Sequence, residues 1–388
     1  LTGLANRHQF QQRLSALVGN PCTLLLLDLD NFKAANDRYG HATGDKVLQI
    51  VANRFKAQTR QGDVLARLGG DEFALIVRGK PDLEVLADLA SRLIHCLRVP
   101  LSIDGVQVKV GTSVGIATAA DDLLDPDALL QFADMALYAA KDAGRNTHCF
   151  FSSDMKEQAK TRLALMDDLR IATEQNQFEL LYQPQVSLQT GQLTGVEALI
   201  RWRHPVRGMV SPGEFIALAE QTNLILPMGR WVLQEACAQA ATWASEVPVA
   251  VNISVVQFGE AGFVQFVLDT LQGTGLPAQR LELEITESVL IEDRHAVLNI
   301  LRELRTLGVR IALDDFGTGY SSLAYLRNFP IDKLKIDGAF VRRISESSQA
   351  HAILRTIIEL GRALQLDVTA ECIETSEQFA ALRALGCA

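Results

Sequence analysis

The sequence predicts two mixed α/β domains in succession, an α+β domain with an antiparallel sheet followed by a parallel α/β sheet or barrel. Its 388 residues exceed one domain of typical size, which holds ~150 residues. In the first 150 residues, amphipathic stretches alternate with apolar runs, and a Gly-Gly pair marks a tight turn. Beyond residue 177, short β-rich runs are separated by helical stretches, which is typical of parallel sheets.

Composition indicates a globular chain with sizeable cores. Apolar residues make up 48% of the chain and charged residues 21%, which argues against disordered and fibrous proteins. The longest strand-like apolar run, residues 23–27, is far shorter than the ~20 residues of a membrane-spanning helix. Six cysteines lie scattered without zinc-site spacing, so we expect reduced thiols. We expect a cytoplasmic chain, and anchoring through regions outside this sequence stays open.

The negative charge is concentrated in the second half of the chain. Residues 1–150 carry 16 Lys and Arg against 17 Asp and Glu, whereas residues 151–388 carry 21 against 29. This balance disfavours bulk nucleic-acid binding. An anionic ligand of the second half would therefore need a divalent cation between itself and the protein.

The first half is predicted to contain four helices and an antiparallel sheet. A strand covers residues 22–29, a hairpin turns at Gly69-Gly70, and two short strands join at Asp104-Gly105. The helices are expected over residues 7–17, 44–56, 83–96 and 127–143. We assign residues 1–151 to the first domain, 152–177 to a stiff helical linker without Pro or Gly, and 178–388 to the second domain.

Seven β-rich runs are visible in the second half, and each ends at or near a polar residue. The runs cover residues 178–183, 196–202, 247–253, 281–286, 310–315, 333–337 and 367–372. The polar residues are Gln183, Glu197, Asn252, Glu284, Asp314 with Asp315, Lys335 and Glu371. In a (β/α)₈ barrel, the carboxyl ends of the strands converge on the face that carries the chemistry. Each residue alone is more simply a loop acid or a helix N-cap, but seven in succession predict a site. An eighth strand is not visible, so we expect the barrel to be incomplete at its C-terminal end.

Carboxylates are also expected to meet at one edge of the first sheet. Asp28 and Asp30 end an apolar strand, and Asp71 and Glu72 follow the Gly-Gly pair. Such a group suits Mg²⁺, which prefers oxygen ligands and bridges to substrate phosphates. The chemistry suggested is nucleotidyl transfer.

These residues carry a family resemblance. Residues 67–73, Arg-Leu-Gly-Gly-Asp-Glu-Phe, resemble the GGDEF signature of diguanylate cyclases, and residues 28–41 and 141–146 are similar to its flanking motifs. The resemblance implies a palm-like fold that condenses two GTP into cyclic di-GMP across a homodimer. It also implies two Mg²⁺ or Mn²⁺ ions in the active site.

The resemblance implies roles for individual residues of this chain. The implied metal ligands are Asp28, Asp71, Glu72 and the Leu29 carbonyl, with Asp71 and Glu72 as catalytic residues. Asn36 and Asp45 would read guanine, and Gly70 would let the backbone approach the nucleotide closely. The implied phosphate contacts are Lys33, Lys141 and Arg145. Arg60 and Asp63 lie at the spacing of the family's product-inhibition site, although this pattern alone also fits a surface ion pair.

The second half resembles a different family. Glu197-Ala198-Leu199 resembles the EAL signature of cyclic di-GMP phosphodiesterases, and the similarity extends over residues 160–388. The family reaction hydrolyses cyclic di-GMP to pGpG with two divalent metals ~3.5–4 Å apart. The resemblance implies that the metal ligands are Glu197, Asn252, Glu284, Asp314, Asp315 and Glu371.

Four further residues receive roles from this resemblance. Lys335 would orient or help deprotonate the attacking water, and a salt bridge to the surrounding acids fits it equally well. Arg201 would contact phosphate, Gln183 would position the ligand, and Glu287 would steady a loop near the metals and link the site to dimerisation. Glu371 is also counted among the catalytic residues.

Two departures from the family pattern qualify the second resemblance. Cys372 stands where the family normally has glycine, beside Glu371. A final strand carrying a QGY-like glutamine is absent, which places the activity of this sequence as given in question.

The sequence favours a bifunctional enzyme that makes and degrades cyclic di-GMP. Two alternatives stay open, a phosphodiesterase whose first domain binds GTP for regulation, and a receptor that binds cyclic di-GMP without turnover. Because one cyclase domain holds one of the two GTP molecules, we expect a homodimer. We expect neither nucleic-acid partners nor a membrane segment in this chain.

Overall fold

The structure is a computed structural model that describes residues 1–17, 20–119, 125–175, 177–287, 289, 294–317, 328–344 and 348–387. Backbone packing divides the chain into two compact units, Leu1–Leu163 and Ala164–Ala388. Since the division falls inside a helix, the domain limits drawn from composition stay a prediction.

The first unit contains a five-stranded sheet covered by helices. Its strands are β1 (Cys22–Asp30), β2 (Val64–Gly69), β3 (Glu72–Arg78), β4 (Leu101–Ile103), β5 (Val106–Val108), β6 (Gly111–Thr118) and β7 (His148–Phe150). The sheet order is β2-β3-β1-β6-β7, antiparallel except for β6 and β7, while β4 and β5 form a separate hairpin. The helices are α1 (Arg7–Ser15), α2 (Phe32–Tyr39), α3 (His41–Gln58), α4 (Leu83–His95) and α5 (Pro126–Asp142).

Strand β1 lies in the middle of this sheet and is buried on both faces. Alternate side chains of a strand point to opposite faces, so Leu25 and Leu27 join one apolar cluster, whereas Leu24 and Leu26 join the other. Burial of all four residues fixes the register of β1 against both neighbours. The carboxylate of Asp28, two residues before the end of β1, is therefore held by a rigid strand.

The predicted pattern of the first unit is largely confirmed, with four differences. Helix α2 and strands β6 and β7 were not anticipated, and α3 begins at residue 41 rather than 44. The hairpin turn is made by Gly70 and Asp71 rather than Gly69 and Gly70, because a register shift pairs Gly69 with Glu72. The parallel pairing of β6 with β7 also departs from the purely antiparallel sheet that was predicted.

The second unit is built on an eight-stranded sheet. Its strands are β8 (Phe178–Val186), β9 (Leu193–His204), β10 (Gly208–Val210), β11 (Val249–Ile253), β12 (Leu281–Thr286), β13 (Arg310–Phe316), β14 (Lys333–Ile336) and β15 (Asp367–Ala370). Strands β9 and β11 to β15 run parallel in that order, as in a (β/α)₈-like fold, while β8 and β10 pair antiparallel with β9. The helices are α6 (Ser153–Glu174), α7 (Pro212–Gln221), α8 (Ile225–Ala241), α9 (Val255–Phe258), α10 (Phe263–Thr274), α11 (Arg294–Leu307), α12 (Gly338–Arg342), α13 (Ser348–Ala363) and α14 (Ser376–Ala384).

All seven predicted strands of the second unit are present, but two predicted site residues do not end their strands. Gln183 lies within β8, which runs antiparallel to β9, and Glu197 lies in the first half of β9. A hairpin that joins β8 to β9 lengthens both strands beyond the apolar runs visible in the sequence. The register pairs Gln183 with Glu197, and Glu197 with Ala250 near the start of β11. The Glu197 side chain nevertheless accepts a hydrogen bond from Asn252, near the carboxyl end of β11.

The predicted linker is helical, as expected, and its second half belongs to the core of the second unit. Leu165, Leu169 and Ala172 are buried against Trp202 and Phe215. The spacing of these three residues places them on one side of α6. Among the described residues, no helix combines the length and apolar character needed to cross a bilayer.

Candidate active sites

The carboxylates of the first unit meet at one edge of its sheet. Asp28, two residues before the end of β1, pairs in register with Glu72, the first residue of β3. Asp71 lies in the turn beside them, where its carbonyl accepts a hydrogen bond from the Leu29 amide at 3.3 Å. Burial raises the pKa of Asp71, and the nearby charge of Asp28 raises it further. Three predicted metal ligands are thus close together.

Two cationic side chains already contact these carboxylates. Lys141 Nζ lies 2.8 Å from Asp28 Oδ1, and Arg7 Nη2 lies 3.2 Å from Glu72 Oε2. Lys141 was predicted as a phosphate contact, whereas Arg7 was not predicted to take part. No local pattern indicates Arg7, because 65 residues separate it from Glu72.

The remaining predicted nucleotide contacts of the first unit differ in burial. Lys33, Asp45 and Arg145 are exposed, as is Gly70 in the turn. Asn36 is half-buried, and its buried Oδ1 has no hydrogen-bond partner. An unsatisfied buried acceptor is costly unless a ligand completes it, which is consistent with the predicted contact to guanine.

Asp30 does not join the predicted metal ligands. Its carboxylate is buried and accepts hydrogen bonds from the Ser113 hydroxyl at 2.9 Å and the Asn146 amide at 3.0 Å. These bonds tie the segment after α5 to the central strands. Asp30 therefore has a structural position next to the site.

The predicted inhibitory pair joins an exposed arginine to a carboxylate whose side chain is buried. Arg60 Nε lies 3.3 Å from Asp63 Oδ1, and Arg60 Nη2 donates to the Arg78 carbonyl at 3.2 Å. The Arg60 side chain is 62% exposed. It is accessible to a ligand, and the inhibitory role stays a prediction.

The second unit brings its carboxylates together around one buried ammonium group. Lys335 Nζ contacts Glu284, lies 2.6 Å from Glu371 Oε1 and 3.1 Å from Asp314 Oδ2, and is 3.5 Å from Glu197 Oε2. The Lys335 side chain is 1% exposed. These four acids come from four different strands or strand ends, β9, β12, β13 and the residue after β15. The convergence predicted from the sequence is present.

Electrostatics within this cluster are unbalanced. Burial alone would lower the pKa of Lys335, but the four surrounding carboxylates outweigh it and raise the pKa. Burial raises the pKa of Glu284 well above its ordinary value despite the opposing effect of Lys335, and burial likewise raises that of Glu371. One ammonium group is therefore insufficient to balance the four acids.

Two further carboxylates, those of Asp315 and Asp337, extend the cluster beyond Asp314. Asp315 has a positive φ of 55°, and its amide donates to Asp314 Oδ1 at 2.8 Å. Burial, the charge of Asp314 and a hydrogen bond with Asp337 raise the pKa of Asp315 to about 6. No role was predicted for Asp337, although it lies two residues after Lys335 in the same motif.

The other predicted residues of the second unit lie around the cluster. Asn252 Nδ2 donates to Glu197 Oε1 at 2.8 Å. Gln183 is exposed beside Glu197 in the sheet register, and Arg201 is half-buried four residues after Glu197 on the same face of β9. Glu287 is buried. The motif residues 318–323 lie outside the described part of the chain.

The donor chemistry of the second cluster fits divalent metals. Glu284 Oε1 is buried without a hydrogen-bond partner, and the surrounding donors are carboxylate and amide oxygens, which Mg²⁺ prefers. As the side chains stand, no three acids, histidines or cysteines in the described ranges are grouped closely enough to hold an ion. In the second unit the acids converge on Lys335 instead. Metal binding would require these side chains to turn from Lys335 towards the ions.

Comparison with known families agrees with the two units. The diguanylate cyclase GGDEF domain family matches residues 1–147, and the EAL domain family matches residues 166–388. The chain is a tandem GGDEF–EAL protein. The two family matches leave only residues 148–165 between them, within which α6 begins.

Known relatives cover the whole tandem. The protein named bifunctional diguanylate cyclase/cyclic di-GMP phosphodiesterase MucR, from Pseudomonas aeruginosa, is 43% identical over 100% of this chain and 58% of its own length. The solved structure titled PaMucR phosphodiesterase, c-di-GMP complex, is 46% identical over 58% of this chain and 92% of that one, with a TM-score of 0.56. This GGDEF–EAL chain spans about half the length of the curated relatives it matches.

One solved structure shares the fold across both units. The S helix–GGDEF–EAL region of LapD from Vibrio cholerae, bound to c-di-GMP, covers 100% of this chain and 93% of that one, with a TM-score of 0.69. Its sequence identity is 22%, so the similarity concerns the fold alone.

The raised pKa of Asp315 predicts a pH-dependent gain in stability for Asp315→Asn. Asn tolerates the positive φ, and it removes a carboxyl whose folded pKa of about 6 exceeds its ordinary value of 3.8. The ionised Asp315 destabilises the folded state above pH 6, and this penalty disappears as the pH falls through 6 towards 4. The variant should therefore be more stable than the wild type at pH 7 and equally stable near pH 4.

Urea unfolding in EDTA, followed by tryptophan fluorescence, measures this difference, since all three tryptophans lie in the second unit. Asp269→Asn, at an exposed position of α10, removes the same charge away from the cluster and serves as the control. A pH-independent difference, or a less stable Asp315→Asn at pH 7, would contradict the explanation.

Proposed function

We propose that this chain both synthesises and hydrolyses cyclic di-GMP, one reaction in each unit. The observation that supports the proposal most directly is that the predicted ligands lie close together in each unit. Asp28, Asp71 and Glu72 lie at one edge of the sheet of the first unit, and four acids surround Lys335 in the second unit. The names of the relatives support the same reaction class. Mg²⁺ or Mn²⁺ is the proposed cofactor at both sites, with two ions in each.

In the first unit, the 3′-oxygen of one GTP attacks the α-phosphorus of the second GTP, and pyrophosphate leaves. Two such steps close the cyclic product, so the reaction needs two facing GTP molecules and, by proposal, two copies of the chain. Asn36 and Asp45 would hold guanine, while Lys33, Lys141 and Arg145 would contact phosphates. The metals would activate the 3′-hydroxyl and offset charge on the phosphates.

In the second unit, water attacks one phosphorus of cyclic di-GMP, the bond to the 3′-oxygen breaks, and linear pGpG results. Glu197, Asn252, Glu284, Asp314, Asp315 and Glu371 would hold the metals, which supply an activated water and a clamp on the phosphate. Arg201 and Gln183 would position the ligand. Lys335 would donate a hydrogen bond to the attacking water or to phosphate, or help to deprotonate that water.

Two other functions remain candidates for the same sites. A phosphodiesterase whose first unit binds GTP without cyclising it would form pGpG but no cyclic di-GMP. A receptor would bind cyclic di-GMP without turnover, and the presence of all six predicted metal ligands in the second unit disfavours it. Inhibition by product at Arg60 and Asp63 is part of the proposal for the first unit.

Removing one carboxylate from each site should abolish one reaction and leave the other. Glu72→Gln should lower the rate of cyclic di-GMP formation from GTP by ~10²-fold or more, and Glu197→Gln should lower the rate of pGpG formation by the same factor. Each substitution removes a charged ligand of the proposed metals. Chromatography of products formed with Mg²⁺ or Mn²⁺ measures both reactions. Each variant serves as the folding control for the other.

The outcome distinguishes the candidates. Formation of pGpG without cyclic di-GMP by the wild type would leave only the phosphodiesterase. Binding of cyclic di-GMP without either product would favour the receptor and contradict the proposal.

The role of Lys335 can be separated from its contribution to stability. Lys335→Met should lower kcat for pGpG formation by ~10²–10⁴-fold, because the donor to the reacting groups is lost. Lys333→Met is the matched control, since Lys333 precedes it by two residues on β14 and forms a similarly buried ion pair with Glu282. Lys333→Met should reduce stability while kcat stays within about threefold. Equal losses of kcat in the two variants would contradict the proposed role.

A further inference from the structure

Arg7 connects the beginning of the described chain to the GGDEF hairpin through two contacts. Its Nη2 atom lies 3.2 Å from Glu72 Oε2, and its Nε donates to the Leu68 carbonyl at 3.1 Å. The guanidinium thus bridges the end of β2 and the start of β3. Through Arg7, one carboxylate oxygen of Glu72 is held in a fixed position relative to the Leu68 carbonyl.

The local structure determines where Arg7 can reach. Arg7 is the first residue of α1, and Asn6 caps this helix through a reciprocal pair of hydrogen bonds with Gln9. Ala5 forms a parallel bridge with Ala66, and its carbonyl accepts from the Arg67 amide at 2.9 Å. The segment before α1 is therefore docked along the edge of β2. This docking directs Arg7 towards the turn that carries the predicted metal ligands.

The ion pair itself contributes little to folding. The side chains of Arg7 and Glu72 are 57% and 53% exposed, and exposed pairs of this kind contribute ~0–1 kcal/mol to stability. A second arginine, Arg67, already holds the turn by donating to the Gly70 carbonyl at 2.7 and 3.0 Å. Arg67 thus secures the backbone, while Arg7 secures the orientation of the Glu72 carboxylate.

We propose that Arg7 is a positioning residue that orients Glu72 for divalent-cation binding in the first unit. The inference rests on the proposed cyclase site and adds to it a residue that acts through Glu72 rather than on GTP. Hydrogen-bond partners of a ligating carboxylate typically affect metal affinity by ~10–100-fold when removed. The role also couples the docking of the segment before α1 to the cation site.

Binding of a fluorescent 3′-deoxy-GTP tests this role in the intact chain, because the analogue has no 3′-hydroxyl to cyclise. The Mg²⁺ concentration at half-maximal binding should rise by ~10-fold or more in Arg7→Ala. The midpoint of Arg7→Lys should lie between those of the wild type and Arg7→Ala. Lysine supplies a single point charge, whereas the arginine guanidinium contacts both Glu72 and Leu68. Arg92→Ala breaks a comparably exposed pair with Asp88 on α4 and should leave the midpoint unchanged.

The measurement distinguishes failure of the positioning role of Arg7 from failure of the proposed cyclase function. A midpoint in Arg7→Ala equal to that in Arg92→Ala overturns the positioning role, and so does a lower midpoint, which would mean that Arg7 competes with the cation for Glu72. Arg7→Lys and thermal unfolding of each variant exclude a folding defect as the cause. If the wild type binds the analogue with Mg²⁺ yet forms no cyclic di-GMP from GTP, cyclase function fails while the midpoints still decide the role of Arg7. A wild type without Mg²⁺-dependent binding overturns both.

Discussion

The concentration of carboxylates around one buried ammonium group is the constraint on which the second unit depends. Four acids approach Lys335 within 3.5 Å, and burial raises the pKa of Glu284 among them. Like charges in a desolvated site repel one another strongly. The parallel strands must therefore hold these acids in place against that repulsion, which is consistent with the proposed binding of divalent cations.

The residues directly below the cluster on the same strands have a different charge balance. Two residues before Lys335 and Glu284, on the same strands, Lys333 and Glu282 form a buried ion pair that also contacts Arg310. In this lower pair, the single carboxylate of Glu282 faces two cationic side chains, Lys333 and Arg310. In the upper cluster, four carboxylates surround the single ammonium group of Lys335. The two adjacent layers therefore differ in their charge balance, which is consistent with the proposed binding of cations by the upper one.

Much of this arrangement is predictable from the sequence, and the remainder has identifiable physical reasons. Seven apolar runs predict seven strands, because hydrophobic patterning determines where strands form. The polar residues near their ends predict the cluster, because the carboxyl ends of barrel strands converge on one face. The antiparallel course of β8 and the mid-strand position of Glu197 depend on a hairpin whose length the apolar pattern does not encode. The contact between Arg7 and Glu72 joins residues far apart in sequence, and only the docking of α1 on β2 brings them together.

Equilibrium binding of Mn²⁺ to the nucleotide-free chain, counted by electron paramagnetic resonance, tests the central claim most directly. Glu284→Gln removes a carboxylate from the upper cluster, and Glu282→Gln removes one from the lower pair on the same strand. We predict that Glu284→Gln loses Mn²⁺ ions that the wild type and Glu282→Gln both retain. Unchanged Mn²⁺ uptake in Glu284→Gln would contradict the account, because the acids would then be held for Lys335 alone.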